Sequence, residues 1–377
     1  MTRAQKVILG VLSISACVVW LAALYFTGQW YRAWSQQPLG PALAYPTQLQ
    51  LPATWTASPA VEAATQPTIT LAPTLKFETQ TPIPPFLYCN NSLPTMTILA
   101  LGTDVRPGQH RPGLTDVMRA VRVDFQGQRV TTLEFPRDLW VQIPGIENSL
   151  GTDHQKLNTA YAYGSPEHGP SFLASTLDLN FGLKVDHYMV ANMNVFAEVV
   201  DTLGGLDITI PPGGIDGRTR SNRSERLVFP EGPQHLSGEQ ALTLARIRNV
   251  SVFTRAKNQN LVLCALRKKV ESPEVILRLP AIIDSFMSNI QTDLTPGQIS
   301  QLACLGTQMP RSNILFAAFP RELFYPAEIY DPVLNQKVFI WDVNFDRLSS
   351  YVSDFQAGTW PASSPSGTPE PETGNCE

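Results

Sequence analysis

Two aspartates and an arginine in one stretch of the chain are the residues best suited to chemistry. Asp104 and Asp116 lie twelve positions apart on either side of a loop rich in proline and glycine, and Arg137 follows a predicted strand. Carboxylates that converge from a loop suit a hard cation such as Mg²⁺, and the planar guanidinium of arginine binds phosphate through two hydrogen bonds. A metal ion beside arginines is typical of phosphoryl transfer. This stretch therefore predicts phosphate chemistry.

The N-terminus carries a segment long enough to cross a membrane. Residues 7–26 are almost continuously apolar and uncharged, and about 20 helical residues at ~1.5 Å each span the ~30 Å hydrocarbon core. A cleaved signal peptide is the alternative, but its apolar region is shorter, about 7–15 residues. Arg3 and Lys6 precede the segment, which favours a cytoplasmic N-terminus. We expect a single-pass protein of the cell membrane whose remaining residues are extracytoplasmic.

Composition divides the chain into five parts. Residues 1–6 are predicted as a cytoplasmic tail, 7–27 as a transmembrane helix, 28–92 as a linker, 93–345 as the folded domain and 346–377 as a disordered tail. From about residue 36 to residue 85 the linker is rich in proline, threonine and alanine and poor in charge, and such a segment tends towards extended polyproline II. At about 3.1 Å per residue, ~50 residues reach on the order of 150 Å. The linker is either a tether that places the domain within the cell wall or a spacer of no particular length.

Strand and helix patterns alternate through the folded domain. Strands are predicted at 97–101, 117–124, 129–135, 187–191, 206–210 and 313–319, and helices at 195–203, from the Ser237 capping box to about 248, and at 259–270. This alternation predicts an α/β domain with a mixed sheet. The net charge of −4 and the absence of a basic run argue against a nucleic-acid partner.

Four of the five cysteines lie outside the predicted transmembrane helix, where disulfides persist. We expect at least one disulfide, and Cys264–Cys304 is the leading pair because both residues lie within the folded part. Cys89 is an alternative partner for either, and Cys376 lies in the predicted tail, where it can stay unpaired. Two buried free thiols are the other interpretation of Cys264 and Cys304. The chain has no C-x-x-C motif, and its histidines show no ligand spacing, so no zinc site is expected.

Six motifs, taken in order, resemble the LytR-CpsA-Psr family of membrane-anchored cell-wall enzymes. They comprise residues 98–106, 115–116, 135–138, 156–164, 200–207 and 236–248. Each motif alone is weak, but all six in order behind one N-terminal apolar segment make a specific match. The resemblance implies a three-layer α/β/α domain with a mixed central sheet, which holds a polyprenyl pyrophosphate in an apolar groove.

The family resemblance also implies a reaction and the residues that perform it. The expected enzyme is a phosphotransferase that moves a glycopolymer from a polyprenyl-pyrophosphate carrier to a cell-wall acceptor such as peptidoglycan. Asp104 and Asp116 are expected to hold Mg²⁺ (or Mn²⁺). Pyrophosphate contacts are expected from five arginines, Arg106, Arg137, Arg246, Arg248 and Arg255. Arg137 and Asp138 are the expected catalytic pair, in which Asp138 either orients Arg137 or serves as a base.

The chain departs from the family pattern at two arginine positions and one acidic position. Leu114 stands where the family usually has arginine, and Val252 and Asn258 replace an acidic residue and a second arginine in a later motif. Arg111 or Arg119 can substitute for one of them, although alternation along the strand can point Arg119 the wrong way. Losing one such contact can cost about 2–4 kcal/mol of transition-state stabilisation. Two other functions therefore stay open, a non-catalytic binder of polyprenyl-phosphate lipid or wall polymer and a lipid pyrophosphohydrolase.

Overall fold

The computed structural model describes residues 20–21, 23–43, 89, 94–103, 113–164, 168–217, 227–247, 252–272, 290–361 and 374–375. Its strands are β1 (Thr95–Thr103), β2 (Thr115–Asp124), β3 (Arg129–Glu134), β4 (Trp140–Gln142), β5 (His154–Lys156), β6 (His187–Asn192), β7 (Leu206–Ile210), β8 (Ile215–Gly217), β9 (Leu227–Phe229), β10 (Gly232–Leu236), β11 (Ile290–Thr292), β12 (Ile314–Ala317), β13 (Tyr325–Asp331), β14 (Gln336–Asp342) and β15 (Gly374–Asn375).

The α-helices of the domain are α1 (Glu147–Leu150), α2 (Ala160–Tyr163), α3 (Gly169–Phe181), α4 (Met193–Thr202), α5 (Gly238–Arg246), α6 (Val252–Val270), α7 (Pro296–Gln308) and α8 (Phe345–Ala357). Before the domain, residues 20–21 and 23–35 are also helical. Among the described residues, no helix is both long and apolar enough to cross a membrane. Most of the predicted span, residues 7–19 and 22, lies outside the described residues.

A mixed seven-stranded sheet forms the centre of the domain, as the sequence predicts. Its strand order is β11-β6-β1-β2-β3-β12-β15. β1 pairs antiparallel with β2 and parallel with β6, and β3 pairs antiparallel with β2 and parallel with β12. A turn that includes Gln126 and Gly127 joins β2 to β3 in a hairpin. The Ser237 capping box is also present, since the Ser237 and Gln240 side chains each bond the other residue's backbone N–H.

Helices cover both faces of this sheet, so the domain has three layers. On one face, α3 and α8 enclose a core in which Leu99, Met118 and Leu133 from β1, β2 and β3 are fully buried. On the other face, α7 packs Leu305 against Ile98 in a second cluster. This arrangement follows from the period-two alternation along β1, which sends neighbouring apolar side chains to opposite faces.

The folded domain extends past the predicted boundary at residue 345, which is too early. α8 buries Leu348, Val352 and Phe355 completely against the main core. These residues recur at the i, i+4, i+7 spacing of an amphipathic helix. The Asn344 side chain caps the helix by accepting a hydrogen bond from the Arg347 backbone N–H at 2.9 Å.

The expectation of at least one disulfide is confirmed, but the leading pair is wrong. Cys304 bonds to Cys89, with the two Cα atoms 5.7 Å apart, and Cys264 is disulfide-bonded as well. Cys89 packs against the second cluster, which includes Leu305 of α7, so it lies beside Cys304. Cys376 lies outside the described residues.

Candidate functional site

The candidate site lies at one end of the strands of the central sheet, where the termini of three neighbouring strands meet. β1 and β3 both run antiparallel to β2, so the end of β1, the start of β2 and the end of β3 share one edge. Asp116 stands at the start of β2 and Arg137 follows the end of β3. Asp104, Arg106 and Arg111 belong to the connection between β1 and β2 and lie outside the described residues.

Arg137 is the centre of a buried network of alternating charges. Its Nη1 donates to Asp116 Oδ1, and its Nε donates to Asp138 Oδ2 at 3.2 Å. Lys156 Nζ donates to the other oxygen of Asp138 at 2.9 Å. Lys156 reaches this position because β5 pairs with β4, directly after Asp138 in the chain. The network thus runs Lys156, Asp138, Arg137, Asp116, with cations and carboxylates in alternation.

The network keeps both of its central residues charged. Burial by itself would raise the pKa of Asp138, but Arg137 and Lys156 outweigh burial and hold that pKa below its usual value. Burial would likewise lower the pKa of Arg137, and the carboxylates of Asp116 and Asp138 raise it overall. Because each oxygen of Asp138 accepts a hydrogen bond from a different cation, its carboxylate is a weak base. The geometry therefore suits Asp138 to orienting Arg137.

Arg255, on α6, is a second buried arginine near this network. Only 3% of its surface is exposed. Within the described part of the chain its guanidinium makes no hydrogen bond or ion pair, and its Nε is fully buried. Burial lowers the pKa of Arg255, and the nearby charges of Glu134 and Asp116 offset this only in part. A buried cation without a direct counter-ion costs free energy that a bound anion would recover.

Two further buried donors lie close to Arg255 in the fold. Asn258, one helical turn along α6, is 4% exposed, and its Nδ2 has no hydrogen-bond partner in the described part of the chain. Arg119 of β2 also has a buried Nε, for which the residues that the structure describes supply no partner. The Arg119 guanidinium donates to Asn260 Oδ1 at 2.7 Å, to Gln259 Oε1 at 3.1 Å and to Glu134 Oε2 at 2.8 Å. Arg119 therefore points towards α6, on the sheet face opposite the main core.

Arg246, near the end of α5, lies beside the end of β1. Its Nε and Nη2 are 3.3 and 3.2 Å from the sulfur of Met193, a weak acceptor. The methyl carbon of Met193 is 3.7 Å from the position a Cβ would take at Gly102. Arg246 thus lies, through Met193, beside Gly102 near the end of β1. Arg248 lies outside the described residues.

Sequence reasoning missed Lys156 and the contacts of Arg119 with α6. Lys156 belongs to the motif at residues 156–164, but only the pairing of β4 with β5 brings it to Asp138. The Arg119–Glu134 pair has a local signal, since the two residues are directly opposite in the β2–β3 hairpin. Opposite charges at facing positions of a hairpin predict an ion pair. The sequence contains no comparable local pattern that indicates which helix packs over Arg119 and Glu134.

The fold and the site together define a mixed α/β domain with a buried cluster of arginines, suited to an anion, where strands of the central sheet end. The model of the LytR_cpsA_psr family matches residues 63–344. The chain belongs to this family, and the resemblance seen in the sequence is confirmed.

Curated relatives of the chain include two Gram-positive proteins. One is the polyisoprenyl-teichoic acid–peptidoglycan teichoic acid transferase TagV of Bacillus subtilis (strain 168), 27% identical over 201 residues that cover 52% of this chain and 49% of TagV. Another is the regulatory protein MsrR of Staphylococcus aureus (strain COL), 28% identical over 211 residues that cover 55% of this chain and 58% of MsrR. The chain thus spans about half the length of these relatives.

Solved structures share the fold. The crystal structure of B. subtilis TagV has a TM-score of 0.51 and 22% identity, and the alignment covers 69% of this chain and 96% of that one. The crystal structure of protein gbs0355 from Streptococcus agalactiae has a TM-score of 0.54 and 21% identity, with 72% and 96% covered. A structure of TagT bound to LI-WTA has a TM-score of 0.51 and 21% identity, with 70% and 90% covered.

Proposed function

We propose that this chain is a phosphotransferase that moves a glycopolymer from a polyprenyl-pyrophosphate carrier to a cell-wall acceptor such as peptidoglycan. Its family membership and the name of its relative TagV support this reaction class. The observation that carries the proposal is Arg255, a buried guanidinium beside the Arg137 network that has no direct counter-ion among the described residues. A pyrophosphate bound there would supply the missing negative charge.

In this proposal Arg137 and Arg255 bind the pyrophosphate directly. Asp138 and Lys156 act on Arg137, because the two hydrogen bonds of Asp138 fix the guanidinium and the carboxylate together. A guanidinium fixed before the substrate binds stabilises the charge of the leaving phosphate without rearranging during the reaction. Arg106, Arg246 and Arg248 complete the proposed phosphate contacts, and of these Arg246 is the one that the structure describes.

We further propose that the site takes Mg²⁺ (or Mn²⁺), held by Asp104 and Asp116. The chemistry of the donors fits, because Mg²⁺ is usually bound by one or two carboxylates together with the phosphates of the substrate. The Asp116 side chain is 25% exposed, so its carboxylate can still be reached from the loop side while it contacts Arg137. Among the described residues no group of three or more potential metal ligands occurs. Such an ion would polarise the phosphoryl oxygens and neutralise their charge.

Membrane anchoring is also part of the proposal. Residues 7–27 are proposed to cross the cell membrane once, with residues 1–6 in the cytoplasm and the domain outside. Protease added to intact spheroplasts is expected to remove the domain. Protection of the whole domain would contradict this topology.

A non-catalytic binder of the same lipid or of wall polymer is the second candidate, and Leu114 and Asn258 favour it because each replaces an arginine of the family pattern. A lipid pyrophosphohydrolase is the third. One assay separates the three candidates, in which the full-length protein meets a radiolabelled polyprenyl-pyrophosphate glycan, Mg²⁺ and peptidoglycan. We expect label on the peptidoglycan. Released free phosphate would indicate a hydrolase, and intact lipid retained on the protein would indicate a binder.

A further inference from the structure

The residues that follow the N-terminal helix are docked on the domain. The Leu39 backbone N–H donates to the Leu294 carbonyl at 3.2 Å, between β11 and α7. The Tyr188 hydroxyl of β6 donates to the Pro41 carbonyl at 3.0 Å, and Leu43 packs against the main core. Residues 35–43, here called the clamp, thus lie along the edge of the central sheet at β11. They fall within the segment that composition predicts as a linker.

The clamp fits too closely for its contacts to be incidental. A Cβ at Gly40 would lie 2.7 Å from the Thr292 carbonyl oxygen, and a Cβ at Gly297 would lie 2.9 Å from the Ser35 carbonyl oxygen. Real Cβ atoms are not found this close, so the clamp and α7 each need a glycine at the contact. Tyr188 is 1% exposed, and burial raises its pKa to about 12. Its hydroxyl therefore remains a donor throughout the physiological pH range.

The far end of the predicted linker returns to the same helix. Ser35 meets Gly297 on α7, and Cys89 is bonded to Cys304 on α7. Seven residues of α-helix separate these two points by about 10 Å. Since both ends of residues 36–88 are attached to one helix of the domain, their contour length cannot separate the domain from the N-terminal helix. The reach of a free linker is not available to this chain.

The N-terminal helix itself exposes apolar side chains in all directions. Trp20, Phe26 and Trp30 are each more than two-thirds exposed, and Trp34, the least exposed aromatic residue of this helix, is 42% exposed. Arg32 is the one charged residue between positions 7 and 35. A helix that is apolar all round belongs in an apolar environment, and tryptophan and tyrosine near its end favour the membrane–water interface. The bilayer is the partner that fits this surface.

We propose that the clamp holds the domain at the membrane surface, at a fixed distance from the lipid headgroups. This inference rests on the proposed membrane anchoring and adds where the site works. A polyprenyl carrier keeps its pyrophosphate at the level of the lipid headgroups. A domain held at that level is therefore always within reach of the substrate, whereas a domain on a free linker would spend part of its time deeper in the wall. The proline-rich residues between the clamp and Cys89 do not set the distance of the domain from the membrane.

The test measures the distance of the domain from the bilayer in the full-length protein. The protein is reconstituted in phosphatidylglycerol–phosphatidylethanolamine vesicles with a donor dye at exposed residue 337 and an acceptor dye on the lipid. Gly297→Val and Gly40→Val are expected to open the clamp, lowering energy transfer and speeding hydrogen exchange at the Leu39 amide about 3- to 10-fold, as for loss of a single hydrogen bond. Gly306→Val is the matched control, because a Cβ at Gly306 meets nothing within 4 Å on the same helix.

Tyr188→Phe is a milder variant that keeps the core packing but removes the hydroxyl bonded to Pro41. It is expected to speed hydrogen exchange at the Leu39 amide, while its free energy of unfolding falls no further than that of Gly306→Val. Equal energy transfer in all variants, or an unprotected Leu39 amide in the native protein, would overturn the clamp. A protected Leu39 without energy transfer to the lipid would overturn the membrane partner and indicate that another copy of the chain covers the helix. None of these measurements uses glycopolymer transfer, so a protein that passes them and transfers no polymer refutes only the proposed reaction.

Discussion

Replacing Arg255 by methionine is expected to make the protein more stable and worse at binding pyrophosphate. Methionine fills a similar volume without a charge, and Arg255 is buried with no direct counter-ion in the described structure. Replacing buried charged groups by apolar ones of similar size is commonly neutral or stabilising by about 1–4 kcal/mol. Losing one charged hydrogen bond to the ligand costs about 1.5–3 kcal/mol, which corresponds to about 10- to 150-fold weaker binding.

Arg137→Met provides the contrast, because Arg137 has partners. Its side chain and that of Asp138 are 8% and 9% exposed, so removing the guanidinium leaves a buried carboxylate with Lys156 as its remaining cation. Breaking a buried ion pair in this way typically costs about 3–5 kcal/mol. The two arginines should therefore shift stability in opposite directions while both weaken pyrophosphate binding. Arg347→Met, at an exposed position on α8, is expected to change neither.

The assay combines urea unfolding with calorimetric titration of geranyl pyrophosphate in the presence of Mg²⁺. Equal slopes of the unfolding transitions would show that a change of midpoint is a change of stability. If Arg255→Met destabilises the protein as much as Arg137→Met does, and its affinity for geranyl pyrophosphate equals that of the native protein, then Arg255 is a structural residue and the reasoning fails.

Three further changes test other parts of the site and the fold. Asp138→Asn removes a carboxylate whose pKa is lowered by folding. The stability that this carboxylate contributes is therefore present above about pH 4 and is lost as the pH falls below that value. The free energies of unfolding of the native protein and the variant should converge in acid, and a difference that stays constant with pH would contradict this. Leu114→Arg should raise turnover or tighten geranyl pyrophosphate binding, measured as kcat and Kd, and no change in either would show that Leu114 does not mark a missing ligand. Replacing Cys89 and Cys304 together by alanine should lower the free energy of unfolding by about 5 kcal/mol, given a sequence separation of 215 residues, and a loss under 1 kcal/mol would show that the unfolded chain is already constrained.

The sequence predicts the centre of the fold well because its signals there are local. The alternation along β1 and the turn at Gln126 and Gly127 determine β1, β2 and β3 to within about two residues. The Ser237 capping box marks the start of α5 at the correct residue. α8 lies beyond the predicted boundary because its short amphipathic pattern is followed by a tail rich in proline and serine, and composition averages over both.

Contacts between distant segments could not be predicted in the same way. The partner of Cys304 depends on which faces of α6 and α7 meet, and the chain positions of the cysteines do not contain that information. Residues 35–43 are docked although their composition favours a free linker, because the Leu39 N–H bonds Leu294, the Pro41 carbonyl bonds Tyr188 and Gly40 lies close against Thr292. Composition predicts how a segment behaves in isolation, but it does not predict whether the folded domain offers a surface on which that segment binds.

The departures from the family pattern are less disruptive in the structure than in the sequence. Asn258 lacks the charge of an arginine, yet its buried side-chain amide keeps a donor that no described residue accepts, so the position still offers a hydrogen bond to a ligand. Arg119, whose direction could not be decided from alternation along β2, reaches α6 and bonds the adjacent residues Gln259 and Asn260. It therefore supports the helix that carries Arg255 and adds positive charge behind it, which Glu134 compensates. The site thus has fewer phosphate-binding arginines than the family pattern, but Arg255 stays in place on a supported helix. The opposite changes in unfolding free energy expected for Arg255→Met and Arg137→Met test whether the charge of Arg255 serves a ligand rather than the fold.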